Sequence, residues 1–339
     1  MQFRNLRTNH IENPLGYQMT KPVFSWTAES SGKKQRFARV RVSSDPEMQD
    51  ILFDTGEGAL SSLGTEGELA LSPRTRYFWQ VEAAADNGDR GCSEPAWFET
   101  GKMDEPWQGK WIAAPFSSHP IFRKTISVSG KIARARLYIT GLGLYEASLN
   151  GEKIGGEFLT PGFSSYQFHM QVHTFDLTDR LHAGENELSV LLGKGWYMGR
   201  FGFGEEMDCI YGERMQLLCE LRIEYADGRE AVIGSDESWQ CANSPYLESG
   251  ILDGEHLDMR IKPEWQNAAA CPAPEGKPDD RLGLPVKIGQ IFENYTLIRT
   301  PKGELVLDFG QNMAGFARFV CALPEGQKVE LLYGELLQD

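Results

Sequence analysis

Apolar and polar residues alternate with a period of two along most of this chain, and that property removes most folds from consideration. Side chains two apart share a face of a strand, whereas a helix needs apolar residues three and four apart. Residues 36–43, Arg-Phe-Ala-Arg-Val-Arg-Val-Ser, alternate apolar and basic in the manner of a half-exposed strand. Residues 76–84, Arg-Tyr-Phe-Trp-Gln-Val-Glu-Ala-Ala, repeat the pattern. Asp86-Asn87-Gly88-Asp89 then supplies turn residues that tolerate positive φ. Helical stripes are few, and 36 glycines with 17 prolines are spread evenly, as many short elements joined by turns require. The pattern predicts an all-β protein built from consecutive β-sandwich domains.

Three segments follow from the punctuation. Residues 1–103 form one unit of the length and strand spacing of an Ig-like or fibronectin III-like sandwich. Cys92 has no evident partner within it, which argues against the disulfide-bearing immunoglobulin variety. A break at 101–110 leads into a second sandwich, residues 104–270, with strands predicted at 133–139, 144–149, 169–176, 187–192, 214–225 and 229–234. Asp227-Gly228 is its clearest hairpin turn. Residues 262–285, rich in Pro, Ala and charge, read as a loop or linker. The third segment, 271–339, starts a further β-sandwich. Its last stretch, Gly326 to Glu335, reads as a strand in full swing, so the chain is expected to be the front part of something larger.

Charge and composition narrow the partners. A net charge of −14 repels nucleic acid and anionic membranes, and neither is expected as a partner. No apolar run approaches the roughly 18–20 residues needed to span a bilayer. The N-terminus, Met-Gln-Phe-Arg-Asn-Leu-Arg, lacks the apolar core of a signal peptide. Six cysteines without a Cys-x-x-Cys pair suggest neither a disulfide framework nor a zinc site. A reducing, cytoplasmic location is the expectation.

Several candidates for chemistry fall away on their own context. Asp308-Phe309-Gly310 matches a kinase triplet, but no glycine-rich loop, strand lysine or catalytic loop precedes it, and a strand followed by a Gly turn accounts for it. His169 and His173 share a strand face but lack a third ligand for a metal. Two acidic clusters, Glu205-Glu206 with Asp208 and Asp253 with Glu255 and Asp258, lie in glycine-containing loops. They read as solvated loop acids, with calcium binding or sugar-hydroxyl contact as alternatives. Asp208, Glu255 and Asp258 are the metal candidates, and no cofactor is required otherwise. The loop from Gly193 to Gly204 is more informative, since it packs four aromatics and Arg200 among its glycines. Aromatic faces suit the C–H surfaces of sugars, and an Arg fork donates to hydroxyls. Trp196, Tyr197 and Arg200 are therefore carbohydrate-binding candidates; packing at the end of the sandwich is the alternative.

The stretch Leu188 to Arg200 is similar to a hallmark of the bacterial α-L-rhamnosidases of glycoside hydrolase family 78. So is Asp308-Phe309-Gly310-Gln311-Asn312-Met313-Ala314-Gly315-Phe316. Gly141 to Tyr145 with Leu149-Asn150-Gly151, Leu159-Thr160-Pro161-Gly162-Phe163 and Asp253 to Arg260 agree in the family's order. Pro22 to Trp26 and Tyr77 to Val81 extend the resemblance through the first unit. The resemblance implies an Ig- or fibronectin-like domain, then jelly-roll-like β-sandwiches, then an (α/α)6 barrel whose two carboxylates hydrolyse terminal α-L-rhamnosides with inversion. That barrel is absent from this chain, so no catalytic residue is carried over and none is expected here. In some relatives the sandwich after the first domain resembles a calcium-dependent rhamnose-binding module; Asn150 is a further carbohydrate-binding candidate here. The implied partners are a rhamnose-containing glycoside or polysaccharide and the catalytic barrel. The alternative is a stand-alone carbohydrate-binding or adhesion β-sandwich protein. A longer open reading frame supports the first reading, and a natural stop codon near Asp339 the second.

Overall fold

The structure is a computed structural model and describes residues 1–202 and 207–336. It is all-β: among the described residues the only helix is the single turn Gly195–Met198. Two compact units divide the chain, Met1–Lys287 and Ile288–Asp339.

The first unit opens with a small sandwich. One sheet joins Gln2–Thr8, Val23–Glu29 and Thr65–Glu66. The other runs in the order Leu15–Tyr17, Ala96–Thr100, Arg76–Ala85, Gln35–Ser43, Ile51–Asp54. The two alternating strands pair antiparallel, with Val40 opposite Val81 and Val42 opposite Trp79. Their apolar residues meet Phe24, Trp26 and Phe98 in the core, where the Phe24 and Trp79 rings lie 4.7 Å apart. Each such side chain contributes about 1.5–3 kcal/mol by leaving water. Arg39, between them in sequence, faces out and pairs with Asp54. The predicted turn is present, with Gly88 at φ 85°.

The second sandwich is larger. Its first sheet is ordered Ala269–Ala270, Ile112–Ala113, Gln216–Tyr225, Ile132–Leu142, His169–Asp176, Lys277–Asp280, with Glu230–Gly234 attached to Gln216–Tyr225. Its second is ordered Glu152–Lys153, Leu144–Leu149, Gly184–Gly193, Pro120–Val128, Gln240–Asn243, Gln266–Asn267. Leu137, Ile139, Leu188, Val190, Leu221, Ile223 and Trp239 fill the space between them. Every strand predicted between 133 and 234 is found, and Gly228 turns the hairpin at φ 86°. The stretch 262–285, expected as a loop, instead supplies three short strands that complete both sheets. Composition concealed this because Pro278 lies in the edge strand Lys277–Asp280, where a missing N–H is tolerated.

The charged positions of the strand Ile132–Leu142 face the first sandwich rather than water. Glu99, fully buried, accepts from Arg136 Nε at 2.6 Å and Nη2 at 2.9 Å and from Arg76 Nε at 2.8 Å. Lys102 Nζ, also buried, lies 2.8 Å from Glu220 Oε1. The carboxylate of Asp280 accepts the backbone N–H groups of Lys102 at 2.9 Å and Met103 at 2.8 Å. This approach leaves no room for a side chain at position 101, where a Cβ would sit 2.2 Å from Asp280 Oδ1. The two sandwiches are thus docked through paired charges.

Among the described residues the second unit contains one hairpin, Thr296–Arg299 with Leu305–Asp308. Asp308 Oδ1 accepts the N–H of Gly310 at 2.8 Å, so the Asp-Phe-Gly triplet is a turn at a strand end. Residues 326–335, expected as a strand, are irregular. Alternation alone does not make a strand; a neighbour must take its backbone hydrogen bonds, and none does here among the described residues. Leu297, Phe319, Val320 and Leu332 are exposed, because a lone hairpin has no second layer to cover them.

Candidate functional site

The aromatic loop begins where the strand Gly184–Gly193 ends. Gly195 adopts φ 54°, and a Cβ there would meet Leu144 Cγ at 2.6 Å and its backbone nitrogen at 3.0 Å. Only glycine fits this conformation and this contact without strain. Gly195→Ala is accordingly expected to cost about 1–2 kcal/mol. A lowered urea midpoint together with a changed near-UV signal from Trp196 would check it.

The helical turn sends its two aromatics in different directions. Tyr197 is buried: its ring meets Tyr166 edge-on at 5.1 Å, and Trp111, Leu142, Met170 and Leu218 complete the cluster. Trp196 lies against Phe163 at 6.1 Å, also edge-on. Phe163 is the hub of a more open group, with Phe201 stacked at 6.0 Å and Tyr211 at 6.3 Å. Phe163 and Trp196 form one wall of a cleft of about 200 Å³ whose floor carries Glu157, Gln171, His173 and Arg281.

That floor is polar, with His173 and Arg281 buried and Glu157 and Gln171 partly exposed. Arg281 Nη1 holds both oxygens of Glu157, at 2.9 and 3.0 Å, and its guanidinium lies over the Tyr17 ring. Gln171 Oε1 accepts the N–H groups of Leu282 and Gly283, and its Nε2 donates to the Phe163 carbonyl at 3.3 Å. His173 Nε2 is 3.2 Å from the Pro161 carbonyl. Its Nδ1 is 3.4 Å from Glu157 Oε2, with no hydrogen bond made there. Burial, reinforced by the Arg281 charge, pushes the His173 imidazole down to about 3 and keeps it neutral at ordinary pH.

The residues singled out in the sequence do not converge on this cleft as a set. Trp196 lines it. Tyr197 is withdrawn into the core and offers no face to a ligand. Arg200 is tied to Asp253 Oδ1 through Nε at 3.0 Å and Nη2 at 2.7 Å, and holds the Asp253 carboxyl below its usual range. Asn150 sits at the far end of the strand Leu144–Leu149, and its amide ties that turn to the neighbouring strand Gly184–Gly193. It donates to Asn186 Oδ1 at 3.0 Å and accepts the Glu187 N–H at 2.8 Å. Asp258 is engaged by Arg260 through both oxygens, Asp208 lies within electrostatic reach of Arg200, and Glu255 is exposed on the strand Gly254–Leu257. Among the described residues no three His, Cys, Asp or Glu side chains come together as a metal site requires. The pair Glu205-Glu206 lies outside the described residues. His169 and His173 part company: the first is half-buried and the second is sealed in.

Sequence reasoning missed Glu157, Gln171 and Arg281. Glu157 and Arg281 are 124 positions apart; Arg281 is placed by the parallel pairing of Lys277–Asp280 with His169–Asp176, and Glu157 lies on the short strand paired with Val286–Lys287. Phe163 was visible as the end of the Leu-Thr-Pro-Gly-Phe stretch, without a sign of its role.

Residues 3–104 match the family model of the Rha78A-like N-terminal immunoglobulin domain. Residues 130–287 match the α-L-rhamnosidase N-terminal domain, and residues 298–339 the bacterial α-L-rhamnosidase concanavalin-like domain. An α-L-rhamnosidase of Formosa agariphila is 29% identical over 99% of this chain and 41% of its own length. One from Streptomyces avermitilis is 34% identical over 82% of this chain and 29% of its own. The solved α-L-rhamnosidase of Dictyoglumus thermophilum superposes with a TM-score of 0.79 at 31% identity, over 92% of this chain and 39% of that one. The chain therefore belongs to the N-terminal portion of the family 78 α-L-rhamnosidases. It spans about two fifths of the length of the first of these curated relatives.

Proposed function

We propose that this chain serves as the N-terminal accessory region of an α-L-rhamnosidase, an enzyme that removes terminal α-L-rhamnose with inversion, and that it has no hydrolase activity of its own. The observation that carries this reading is the order of the three family matches along the chain. The two docked sandwiches act as a scaffold toward an (α/α)6 barrel. The cleft beside Trp196 holds the rhamnose of a glycoside or polysaccharide, with the Trp196 and Phe163 rings against the sugar's apolar face. Six free cysteines support a reducing, cytoplasmic setting.

The whole chain incubated with an aryl α-L-rhamnoside is expected to release no more phenol than a protein-free blank; faster release would refute the inactive assignment. Calorimetry with L-rhamnose is expected to give a heat of binding that Trp196→Ala abolishes. Absence of heat from the unaltered protein would leave the scaffold role alone.

A further inference from the structure

The second sandwich does not build the floor of the cleft alone. Glu157, Gln171, His173 and Arg281 are its own, but the ring against the Arg281 guanidinium is Tyr17, from the first sandwich. Arg281 Cζ lies 4.8 Å from the centre of that ring. Main-chain hydrogen bonds carry the sheet of one sandwich into the sheet of the other at this point. On one side, the strand Leu15–Tyr17 pairs with Ala96–Thr100, with Tyr17 opposite Thr100. On the other, the Gln18 N–H donates to the Arg281 carbonyl at 2.9 Å, and the Arg281 N–H donates to the Val172 carbonyl at 3.1 Å. Gly16 permits the approach: its φ is 70°, and a Cβ there would sit 2.0 Å from Thr174 Oγ1, one residue along from His173.

Asp280 and Arg281 are consecutive and face opposite tasks. The Asp280 carboxylate holds the backbone of Lys102 and Met103, whereas Arg281 reaches Glu157 in the cleft. A buried guanidinium is costly unless its donors and its planar faces find partners. Glu157 takes Nη1, the Gly283 carbonyl takes Nε, and the Tyr17 ring covers one face. The negative face of an aromatic ring attracts a cation most strongly where water is excluded, and Arg281 is buried. We infer that the first sandwich is a working part of the cleft: Tyr17 is a positioning residue that fixes Arg281, and through Arg281 the carboxylate of Glu157. The inference goes beyond the scaffold role and does not depend on which ligand the cleft takes.

The His173 imidazole reports on the floor without any ligand. It faces Glu157 Oε2 at 3.4 Å and the Tyr145 ring at 6.0 Å, and the Arg281 charge helps to keep it neutral. Nitrogen-15 NMR of the whole chain between pH 8 and pH 4.5 is expected to find it neutral throughout. Tyr17→Phe keeps the ring face and is expected to behave in the same way. In Tyr17→Ala and Tyr17→Leu the guanidinium loses its wall, so the His173 midpoint is expected to rise by about 1–3 pH units, into that window. Arg281→Met leaves the Glu157 charge unopposed and is expected to give a similar rise. Adding Tyr17→Leu to Arg281→Met should raise it no further, because the two residues act in series. Deuterium exchange supplies a second reading: the Leu282 and Gly283 amides, held by Gln171 Oε1, should exchange about tenfold faster in Tyr17→Leu. Thermal melts show which variants are folded, and Tyr17→Leu, which keeps the apolar bulk, decides the matter if Tyr17→Ala is not. A rise in Arg281→Met with none in Tyr17→Leu overturns the inference, since Tyr17 then only packs. Equal rises in Tyr17→Phe and Tyr17→Leu overturn it as well, because the ring face would not be the cause. No rise in any variant overturns it by removing Arg281 from control of the floor. The rhamnose calorimetry above tests the sugar-holding role separately, and none of these outcomes bears on it.

Discussion

Glu220→Ala is expected to destabilise the first unit by about 3–5 kcal/mol, the cost of leaving a buried charge with only the more distant Glu105 carboxylate, at 3.8 Å. Lys102 is the charge in question. Its Nζ is 2.8 Å from Glu220 Oε1, 4.9 Å from the Trp107 ring and sealed from water. The same carboxylate accepts the Gln108 N–H at 2.7 Å and Arg222 Nε at 2.6 Å, so one truncation orphans three donors. The urea midpoint and slope of unfolding measure the loss. Replacing both partners, Lys102→Met with Glu220→Leu, should recover much of it, because the desolvation penalty disappears with the charges. A loss below about 1 kcal/mol in Glu220→Ala would mean that water reaches Lys102 and that the docking is looser than described.

Acid is expected to weaken the unit in two stages. Folded His173 stays neutral down to about pH 3, whereas an unfolded chain binds that proton near pH 6.5. Between these values the unfolded state carries more protons, so stability is lost as pH falls from about 6.5 toward 3. The shift corresponds to a loss of roughly 5 kcal/mol at most. Glu220 adds a second stage. Burial alone would raise its pKa, but the hydrogen bonds from Lys102, Gln108 and Arg222 outweigh it and hold the carboxyl low. Its contribution is complete above the unfolded value of about 4.3 and fades as pH falls through the lower, folded one. Urea midpoints measured from pH 8 to pH 4.5 should decline for the unaltered protein and much less for His173→Phe. Parallel declines in the two proteins would remove His173 from the explanation.

Much of the fold was legible because two-sided strands write their burial into the sequence. Val40, Val42, Trp79 and Val81 are apolar at every second position and all lie in one core. Two features were not legible, for different reasons. Arg134, Arg136, Glu220 and Glu224 have the pattern of a solvated face, and no local rule separates charges meant for water from charges that meet another domain. The strand Lys277–Asp280 carries a proline and two acids and pairs in parallel with residues more than a hundred positions earlier. The site was legible in part: glycine density marked the loop and Trp196 within it. Direction was not, since Trp196 and Tyr197 are neighbours in sequence and only the helical turn sends one to the cleft and the other to the core. Asn150 stands in an Asn-Gly pair, a dipeptide that serves a turn as readily as a ligand.

The clamp of Asp280 on the backbone of Lys102 and Met103 also has a consequence in time. The first sandwich is complete in sequence by residue 103, yet the carboxylate that fixes its exit strand arrives 178 residues later. A ribosome adding about 5–20 residues per second takes roughly ten to thirty-five seconds to cover that distance. Arg136 follows Glu99 by 37 residues and Glu220 follows Lys102 by 118, so both pairs can form before the Asp280 clamp closes. The joint between the two sandwiches is thus completed in order along the chain, with the clamp as its last step.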